Sequence, residues 1–320
     1  MKVFVAGATG AIGRPLVSAL IAGRHEVIGM TTAEAGVQIL RDRGADGVVV
    51  NAFDAEAVNA AITNIRPEAV IEELTSLPKR YTPEEMRAAA SRDRRLRLDG
   101  GRNVQNAARA AGAKRYIVQS TGFFYAPGAD LATEADPLAL DASPAIAGGV
   151  QTYTQIEDRV LSAPDLEGMV LRYGFFYGPG TYHDPVSGSI SRQVRDGNYP
   201  VIGSGRGVFS FVHVDDAAKA TVAALEGDPG VYNIVDDDPS EMAIWLPAFA
   251  HFLGAPSPRH VSEDEALRVG GPDAVYYATR LRGAENGKAK RKLNFAPRRL
   301  EWLQTGGIDH SMPPRQSRTS

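Results

Sequence analysis

The hydrophobic positions in the first half of the chain follow two alternating patterns. Short apolar runs predict buried strands, and longer stretches with apolar residues three and four apart predict amphipathic helices. The predicted strands are Lys2–Ala6, Glu26–Met30, Gly47–Val50, Ala69–Ile71, Arg115–Gln119 and Gly168–Arg172. The predicted helices are Ile12–Ala22, Glu34–Arg43, Ala55–Asn64, Pro83–Ala111 and Val150–Leu161. This alternation is typical of an α/β fold, a doubly wound parallel sheet with helices on both faces.

The second half of the chain has a different texture. Glycine, proline and aromatic residues dominate from residue 174 to residue 211, where a single helix is predicted at Ser189–Asp196. A helix at Val214–Glu226 and a strand at Val231–Val235 indicate a return to the sheet. The remaining segment is mainly helical in its pattern.

These changes suggest where the domains divide. We expect a first domain over residues 1–173, with its sheet and helices completed by residues 208–236. Residues 174–207 and 237–307 are predicted to form a smaller substrate-binding lobe over the ends of the strands. Residues 308–320 are polar and contain proline, and are predicted to form a disordered tail.

Charge and hydropathy exclude several classes of protein. The chain has 35 Lys and Arg against 38 Asp and Glu, a net charge of −3, so it has no general attraction for nucleic acid or an anionic membrane. No apolar run approaches the roughly 20 residues that span a bilayer. The start Met1-Lys2 leads directly into a strand and does not resemble a signal peptide. We therefore expect a cytoplasmic protein.

Residue types narrow the chemistry further. The chain contains no cysteine, which excludes disulfides, thiolate metal sites and cysteine nucleophiles. No spacing of histidine with acidic residues predicts a metal site. The basic runs Arg92–Arg97 and Lys288–Lys292 lie within helical patterns and are predicted to be solvent-exposed helix faces.

The strongest chemical signal is Gly7-Ala-Thr-Gly10-Ala-Ile-Gly13, directly between the first predicted strand and helix. Glycines in that position allow a tight turn, close approach of the backbone to a pyrophosphate, and close packing of helix on strand. The helix N-terminus offers free amides and a partial positive charge to the same group. The sequence therefore predicts a Rossmann dinucleotide-binding domain. The predicted pyrophosphate loop consists of Gly7, Thr9, Gly10, Ala11, Ile12 and Gly13.

The end of the second strand usually separates NAD from NADP, because an acid there binds the ribose 2′-hydroxyl and repels a 2′-phosphate. Here Thr31 and Thr32 can donate hydrogen bonds to a phosphate, and Arg14 begins the facing helix. Glu34 lies two positions further and can play the acidic part. NADP is therefore favoured, with NAD as the alternative. Asn51, after the third strand, is either an adenine ligand or an ordinary loop residue.

Four further motifs occur in order along the chain. They are Ser120-Thr121 followed by Tyr125, LRYGFFYGPG over 171–180, FVHVDDA over 211–217, and KAKRKLNFAP over 288–297. With the glycine motif, they resemble the extended short-chain dehydrogenase/reductase family of NAD(P)-dependent epimerases and dehydratases. The resemblance implies that Leu74 and Thr75 line the nicotinamide ribose and that Tyr173 and Phe175 lie near the nicotinamide. It also implies a homodimer through the helices over 83–111 and 150–161.

In that family a Ser or Thr orients the substrate, a Tyr is the acid or base, and a Lys four residues later lowers the Tyr pKa. Thr121 matches the Ser/Thr by its spacing to Tyr125. Tyr153 is the nearby tyrosine, but position i+4 is Glu157; the helix pattern alternatively places the family's Tyr at Gly149 and its Lys at Tyr153. In either register the lysine is missing. A carboxylate raises the pKa of a neighbouring phenol, so Tyr153 is expected to be a poor base that can still donate to an oxyanion, or a packing residue.

Aromatic residues cluster at the predicted strand ends, where open α/β sheets bind their ligands. They predict a largely apolar substrate pocket beside the nicotinamide, with His183 as an alternative acid or base. The predicted pocket residues are Phe123, Tyr125, Phe176, Tyr177, Tyr182 and His183.

Some polar residues allow two interpretations. Glu72 and Glu73 are unusual in a buried strand and predict either a proton carrier with a raised pKa or a carboxylate paired with arginine. His213 is predicted to be structural. The run Asp236–Asp238 is predicted to cap a helix that starts near Ser240.

Together these features predict an NAD(P)-dependent oxidoreductase that transfers hydride between the nicotinamide and a small, largely apolar carbonyl or activated C=C compound. Thr121 and Tyr153 are the predicted catalytic residues, which hold the reacting oxygen. A sugar-nucleotide epimerase or dehydratase is one alternative, but it requires Tyr-x-x-x-Lys and an arginine-bearing lobe. The other is an NAD(P)-binding sensor or regulatory protein with reduced catalysis.

Overall fold

The computed structural model of the protein describes residues 1–304; the predicted tail at 308–320 lies outside them. The strands are β1 Lys2–Ala6, β2 Glu26–Thr31, β3 Asp46–Val49, β4 Ala69–Glu72, β5 Arg115–Thr121, β6 Glu167–Tyr173, β7 Phe175–Tyr177, β8 Val201–Ile202, β9 Val208–Phe209, β10 Phe211–His213, β11 Gly230–Ile234, β12 Ser240–Glu241 and β13 His260–Val261. The helices are α1 Gly13–Ala22, α2 Glu34–Arg41, α3 Ala55–Ile65, α4 Pro83–Arg95, α5 Gly101–Ala110, α6 Pro144–Leu161, α7 Ser189–Arg195, α8 Val214–Ala223, α9 Met242–Phe252, α10 Glu263–Gly270, α11 Pro272–Thr279, α12 Gly287–Leu293 and α13 Glu301–Gln304.

Seven strands form one parallel sheet in the order β11-β6-β5-β4-β1-β2-β3. Its central strands are apolar without alternation because both faces are covered; Val3 and Phe4, successive residues of β1, point to opposite faces and are both fully buried. The predicted doubly wound Rossmann sheet is confirmed.

Two helical layers cover the sheet. One core contains α1, α2, α8 and α12, with Leu16 and Leu20 of α1 against the sheet. The other contains α3, α5 and α6, with Val104 of α5 and Val160 of α6 at its centre. Strands β1, β4 and β5 are parallel neighbours in the sheet, so their carboxyl ends lie along the same edge, where the glycine loop begins.

A third core, separate from the two that cover the sheet, lies in the segments that follow β6. Trp245 and Phe249 of α9 pack with Phe211 of β10 and Trp302 of α13. Three two-stranded sheets, β7 with β10, β9 with β12, and β8 with β13, frame this lobe. No helix within residues 1–304 is long and apolar enough to cross a membrane.

Two segments differ from the pattern-based expectation. Helix α6 begins at Pro144 rather than Val150, because Ile146 is buried and its packing outweighs the poor helix propensity of Gly148 and Gly149. The predicted helix over 83–111 contains a π-helical turn at Leu96–Gly100.

The basic run 92–97 is also only partly an exposed face. Arg97 retains 4% of its surface, and its Nε donates to Asp93 Oδ2 at 2.7 Å. The expectation of a solvated face was therefore wrong for Arg97, because the π-helical turn rotates this side chain inward, whereas Arg92, Arg94 and Arg95 are exposed.

Candidate active site

The glycine loop makes a tight contact with the end of β4. Gly7 has φ +89°, and a Cβ there would lie 2.4 Å from the carbonyl oxygen of Glu73. A Cβ on Gly13 would lie 2.2 Å from the Gly7 oxygen. Only glycine fits both positions.

Helix α1 has no side-chain cap at Ile12. The Arg14 amide donates to the Gly10 carbonyl oxygen at 3.2 Å, and Pro15 has no amide hydrogen. The amides of Ala11, Ile12 and Gly13 make no backbone hydrogen bond within residues 1–304, so they are the ones that fit a pyrophosphate.

The end of β2 separates its two threonines. Thr31 is buried against Gly36, whose Cβ would lie 2.0 Å from the Thr31 hydroxyl. Thr32 is exposed, beside the uncapped N-terminus of α2 at Glu34. Thr32 is therefore the residue of the pair with a free surface toward a ligand.

Other predicted loop residues lie at the same edge. Thr9 accepts a hydrogen bond at its carbonyl from Arg14 Nε at 2.9 Å. Asn51 is exposed and its Oδ1 accepts from the Phe53 amide at 3.1 Å, which orders the loop after β3.

A buried polar network lies at the ends of β5 and β6. Ser120 Oγ donates to Glu157 Oε1 at 2.5 Å, and Arg172 donates to both Glu157 oxygens at 2.9 and 2.6 Å. Arg172 Nη1 also donates to the Tyr125 hydroxyl, which in turn donates to Asn233 Oδ1 at 2.6 Å. The hydroxyl of Tyr125 is thus fully used within the core, and its exposed fraction is zero.

Gly149 and Tyr153 of α6 are the two positions where one register places the family's tyrosine and lysine. A Cβ on Gly149 would lie 2.8 Å from Cε2 of Phe124, so the Phe124 ring occupies the space that a larger side chain would need. Phe124 contacts the Tyr153 ring edge to face at 5.9 Å. The Arg97 guanidinium lies 5.0 Å from the Tyr153 ring centroid, a cation–π contact.

The electrostatic surroundings of Tyr153 differ from the expectation. Burial raises the pKa of the Tyr153 phenol, and the Arg97 charge opposes that rise. The expectation that Glu157 causes the rise was wrong, because Glu157 points to the sheet and neutralises Arg172. The i+4 spacing places two residues on one helical face, but it does not fix where their polar ends point.

Two predicted residues lie beside this helix at the strand ends. Thr121 ends β5 and is 4% exposed, and its hydroxyl has no hydrogen-bond partner within residues 1–304. After β4, Leu74 is buried and Thr75 is exposed.

Glu72, the last residue of β4, and Glu73, which follows it, divide between the two interpretations. Glu72 pairs with Arg159 at 2.9 Å and accepts a hydrogen bond from the Tyr116 hydroxyl. Glu73 has no ion pair with a cation within residues 1–304, and burial raises its pKa to about 8. Its Oε1 lies 3.0 Å from the hydroxyl of Tyr173.

An aromatic stack connects this edge to the lobe. Phe123 and Phe175 are parallel, with centroids 4.2 Å apart, and Tyr277 of α11 lies 6.1 Å from Phe175. All three are partly exposed, whereas Phe209, 4.8 Å behind Phe175, is buried. Tyr277 and Phe209 were not predicted as site residues, because both lie far from Phe123 in the sequence and neither belongs to a local motif.

The other predicted pocket residues differ in burial: Phe176 and Tyr182 are half-buried, and Tyr177 and His183 are buried. Phe176 packs on Tyr173 at 5.1 Å. Tyr182 donates to the Pro78 carbonyl at 2.5 Å and ties the loop after β4 to the lobe. Tyr177 is buried against His213. His183 is buried too, with Nδ1 3.1 Å from the Phe176 carbonyl oxygen, and burial lowers its pKa to about 4.

His213 caps helix α8, since its Nδ1 accepts from the Asp215 amide at 3.1 Å. The capping role predicted for Asp236–Asp238 was wrong. Helix α9 begins at Met242 without a side-chain cap, because the acidic run is drawn instead to Lys290 and Arg299. Within residues 1–304, no group of three His, Asp or Glu side chains could hold a metal ion.

The parallel sheet, the glycine cradle and the strand-end site define a nicotinamide-dinucleotide enzyme of the Rossmann class. The chain belongs to the NAD dependent epimerase/dehydratase family, whose model matches residues 3–235. The family is named for NAD-dependent enzymes, and this chain is an NAD-dependent oxidoreductase.

The chain is 42% identical over 306 residues to a 3-diazoavenalumate denitrifying reductase from a Streptomyces species, covering 94% of this chain and 98% of that protein. It is 26% identical to a 4-hydroxy-2-methyl-3-oxo-4-farnesyl-3,4-dihydroquinoline-1-oxide ketoreductase from Stigmatella aurantiaca, over 93% of this chain and 92% of that protein. Among solved structures, a UDP-glucose 4-epimerase with UDP-glucose from Thermotoga maritima has the same fold. Its TM-score is 0.73 at 22% identity, over 94% of this chain and 95% of that chain.

Proposed function

We propose that this protein is an NADPH-dependent reductase of a small aromatic compound whose reducible group takes hydride without needing a tyrosine–lysine proton donor. The observation that carries the proposal is the Gly149–Phe124 contact. In the register that places the family's tyrosine at Gly149, no phenol can stand there without displacing the Phe124 ring. In the other register, Glu157 stands in place of the lysine and is neutralised by Arg172.

The cofactor supplies the hydride when bound, and the protein positions it. The glycine cradle receives the pyrophosphate, and the exposed Thr32 hydroxyl beside the uncapped start of α2 favours a 2′-phosphate. Glu34 in the first turn of α2 works against that preference, so we expect NADPH to bind more tightly than NADH by a modest factor.

The partly exposed rings of Phe123, Phe175 and Tyr277 suit a flat, largely apolar substrate. A diazo group is the first candidate for the group that is reduced. The 42% identical relative is named as a denitrifying reductase of a diazo compound. An arenediazonium ion and a hydride give the arene and N₂, so no alkoxide forms and no proton has to be delivered to oxygen.

A carbonyl or activated C=C compound is the second candidate. The buried Thr121 hydroxyl has no hydrogen-bond partner within residues 1–304 and is suited to donate to an oxygen atom of the substrate. A carbonyl compound provides such an oxygen, whereas a diazo group does not. Tyr153 would then supply a second hydrogen bond. The 26% identical relative is named as a ketoreductase.

A sugar nucleotide is less favoured. Its diphosphate needs cationic side chains, whereas Phe175 faces Phe209 and Tyr277 in the lobe. The structural likeness to a UDP-sugar enzyme is a likeness of fold, and fold alone does not select a substrate.

The test is a titration with NADPH and NADH by nicotinamide fluorescence, followed by aldehydes, ketones, enones and an arenediazonium carboxylate. We expect tighter binding of NADPH and fastest cofactor oxidation with the diazonium compound. The control is Gly13→Val, which blocks the cradle and leaves only the uncatalysed reaction. Tight binding without oxidation of the cofactor by any compound would contradict the proposal and favour an NAD(P)-binding sensor.

A further inference from the structure

Glu73 belongs to a chain of hydrogen bonds that crosses the interior beside the glycine loop. Its Oε1 lies 3.0 Å from the Tyr173 hydroxyl, which lies 2.6 Å from Thr221 Oγ1. Thr221 Oγ1 donates to the carbonyl oxygen of Ala217 at 2.7 Å. Three contacts need three protons, and the two hydroxyls supply only two. An ionised Glu73 accepts from the Tyr173 hydroxyl, which leaves no proton for the Tyr173–Thr221 contact when Thr221 donates to Ala217. A proton on Glu73 supplies all three contacts, so this arrangement favours the neutral carboxylic acid.

The surroundings of Glu73 agree with this proton count. The side chain is 3% exposed, and burial raises its pKa to about 8 against the opposing effect of a hydrogen bond from Tyr173. Four elements contribute to its surroundings. Strand β6 contributes the Tyr173 hydroxyl, which α8 contacts through Thr221, while β4 contributes Glu72 and the π-helical turn contributes Arg97.

The charges among these groups largely cancel. Arg97 opposes the pKa rise of Glu73, but its guanidinium is hydrogen-bonded to Asp93. Glu72 reinforces the rise, although Arg159 offsets much of its charge. A charge on Glu73 would raise the pKa of the Tyr153 phenol, so the two groups lie within electrostatic reach of each other.

The two carboxyl oxygens of Glu73 differ in their hydrogen bonding. Oε2 is buried without a hydrogen-bond partner within residues 1–304. The backbone of Glu73 adjoins Gly7, and its hydrogen-bonded neighbour Tyr173 packs on Phe176. The Glu73 backbone thus adjoins the pyrophosphate loop, and its carboxyl group contacts Tyr173, which is expected near the nicotinamide, so a charge on Glu73 is placed to act on a bound cofactor.

We propose that Glu73 couples its proton to the oxidation state of the nicotinamide: it is neutral in the free protein and with NADPH, and it loses its proton when NADP⁺ binds. The oxidised ring carries a positive charge that stabilises a nearby carboxylate, and the reduced ring does not. At neutral pH the binding of the oxidised cofactor has to remove this proton, so it is weaker than at high pH, where Glu73 is already ionised, and this favours release of the oxidised cofactor after hydride transfer. This inference rests on the proposed cofactor role of the site and is independent of the substrate.

The experiment is calorimetry of NADP⁺ and NADPH binding from pH 6 to 9.5, in buffers of different ionisation enthalpy that report protons released. Both nucleotides carry the 2′-phosphate, so its titration cancels in their difference. We expect proton release with NADP⁺ beyond that with NADPH near pH 7, and a ratio of Kd(NADP⁺) to Kd(NADPH) that falls about tenfold across the range, equivalent to a shift of about one pKa unit.

Two variants separate the role of Glu73 from general damage. Glu73→Gln should make the ratio independent of pH. Thr221→Val frees the Tyr173 proton for Glu73, and should move the pH dependence to lower pH while both nucleotides still bind. An infrared band of a protonated carboxyl at neutral pH, lost in Glu73→Gln, is expected in the free protein.

A pH-independent ratio in the natural protein, or a pH dependence that survives in Glu73→Gln, would overturn the inference. Because only binary complexes are measured, failure to reduce any substrate would contradict the proposed function without affecting this result. Absence of binding of both nucleotides would overturn both proposals.

Discussion

The ring of Phe124 lies where a side chain on Gly149 would project, with Cε2 only 2.8 Å from the position of a Cβ. The preceding residue, Gly148, has nothing within 4 Å of its Cβ position. Two adjacent glycines of α6 therefore have opposite surroundings. The aromatic ring that takes this space belongs to the loop after β5, which also contributes Phe123 to the aromatic stack.

Alanine substitutions at the two glycines measure this difference. Gly148→Ala is expected to stabilise the protein by about 1 kcal/mol, since alanine is the better helix former and the site is open. Gly149→Ala gains the same propensity but presses a methyl group into Phe124, so we expect no gain or a loss of about 1–3 kcal/mol. Urea unfolding of both variants checks this. Equal stabilisation would show that the Phe124 ring does not fill the space.

Tyr153→Phe separates the two candidate substrate classes. With an arenediazonium substrate, we expect turnover within about threefold of the natural protein, because no oxyanion needs a donor. With a ketone, loss of the hydroxyl is expected to lower turnover about 100-fold. NADPH affinity should be unchanged in both cases. Steady-state rates and a fluorescence titration give these values, and a large loss with the diazonium compound would restore Tyr153 as a catalytic donor.

The buried pair of Glu157 and Arg172 is expected to stabilise the fold. Glu157→Gln leaves the Arg172 charge buried and unpaired, at a cost of about 3 kcal/mol. The matched control is Asp158→Asn, one residue along the same helix but exposed, which should change stability by less than about 0.5 kcal/mol. Similar effects for the two variants would argue against a structural ion pair.

His183 makes stability depend on pH. Burial lowers its pKa to about 4 from an ordinary value of 6.5, so below pH 6.5 the unfolded chain takes up a proton that the folded protein excludes. The free energy of unfolding therefore contains the full contribution of neutral His183 above pH 6.5. This contribution is lost as the pH falls toward 4, by up to about 3 kcal/mol. Asp236, whose pKa burial raises to about 8, gives the opposite slope.

The variant His183→Asn isolates this effect, because the contribution of Asp236 is common to both proteins. We expect the difference in unfolding free energy between the natural protein and His183→Asn to shrink between pH 7 and pH 5. A difference that is constant with pH would mean that His183 is not buried in the neutral form.

The sequence was sufficient for the parts of the site that depend on local patterns. The glycine loop lies between β1 and α1 as predicted, since its spacing and its neighbours in sequence define the turn. The alternation of strands and helices along the chain was predicted from local patterns of the same kind. These features need no knowledge of distant contacts.

Other parts depend on contacts between distant segments. Whether Glu157 faces Tyr153 or the sheet is decided by Arg172 on β6, which the helix pattern cannot show. Arg97 turns inward because of a π-helical turn that has no signal in the pattern. The proposed proton on Glu73 depends on the chain of hydrogen bonds through Tyr173 and Thr221, which only the folded structure shows.

The most direct test of the proposed reductase activity measures NADPH oxidised, N₂ released and arene formed from an arenediazonium carboxylate. We expect equal amounts of all three, at a rate well above those of the protein-free reaction and of the Gly13→Val variant. NADPH consumption without N₂ release, or turnover confined to carbonyl compounds, would contradict it.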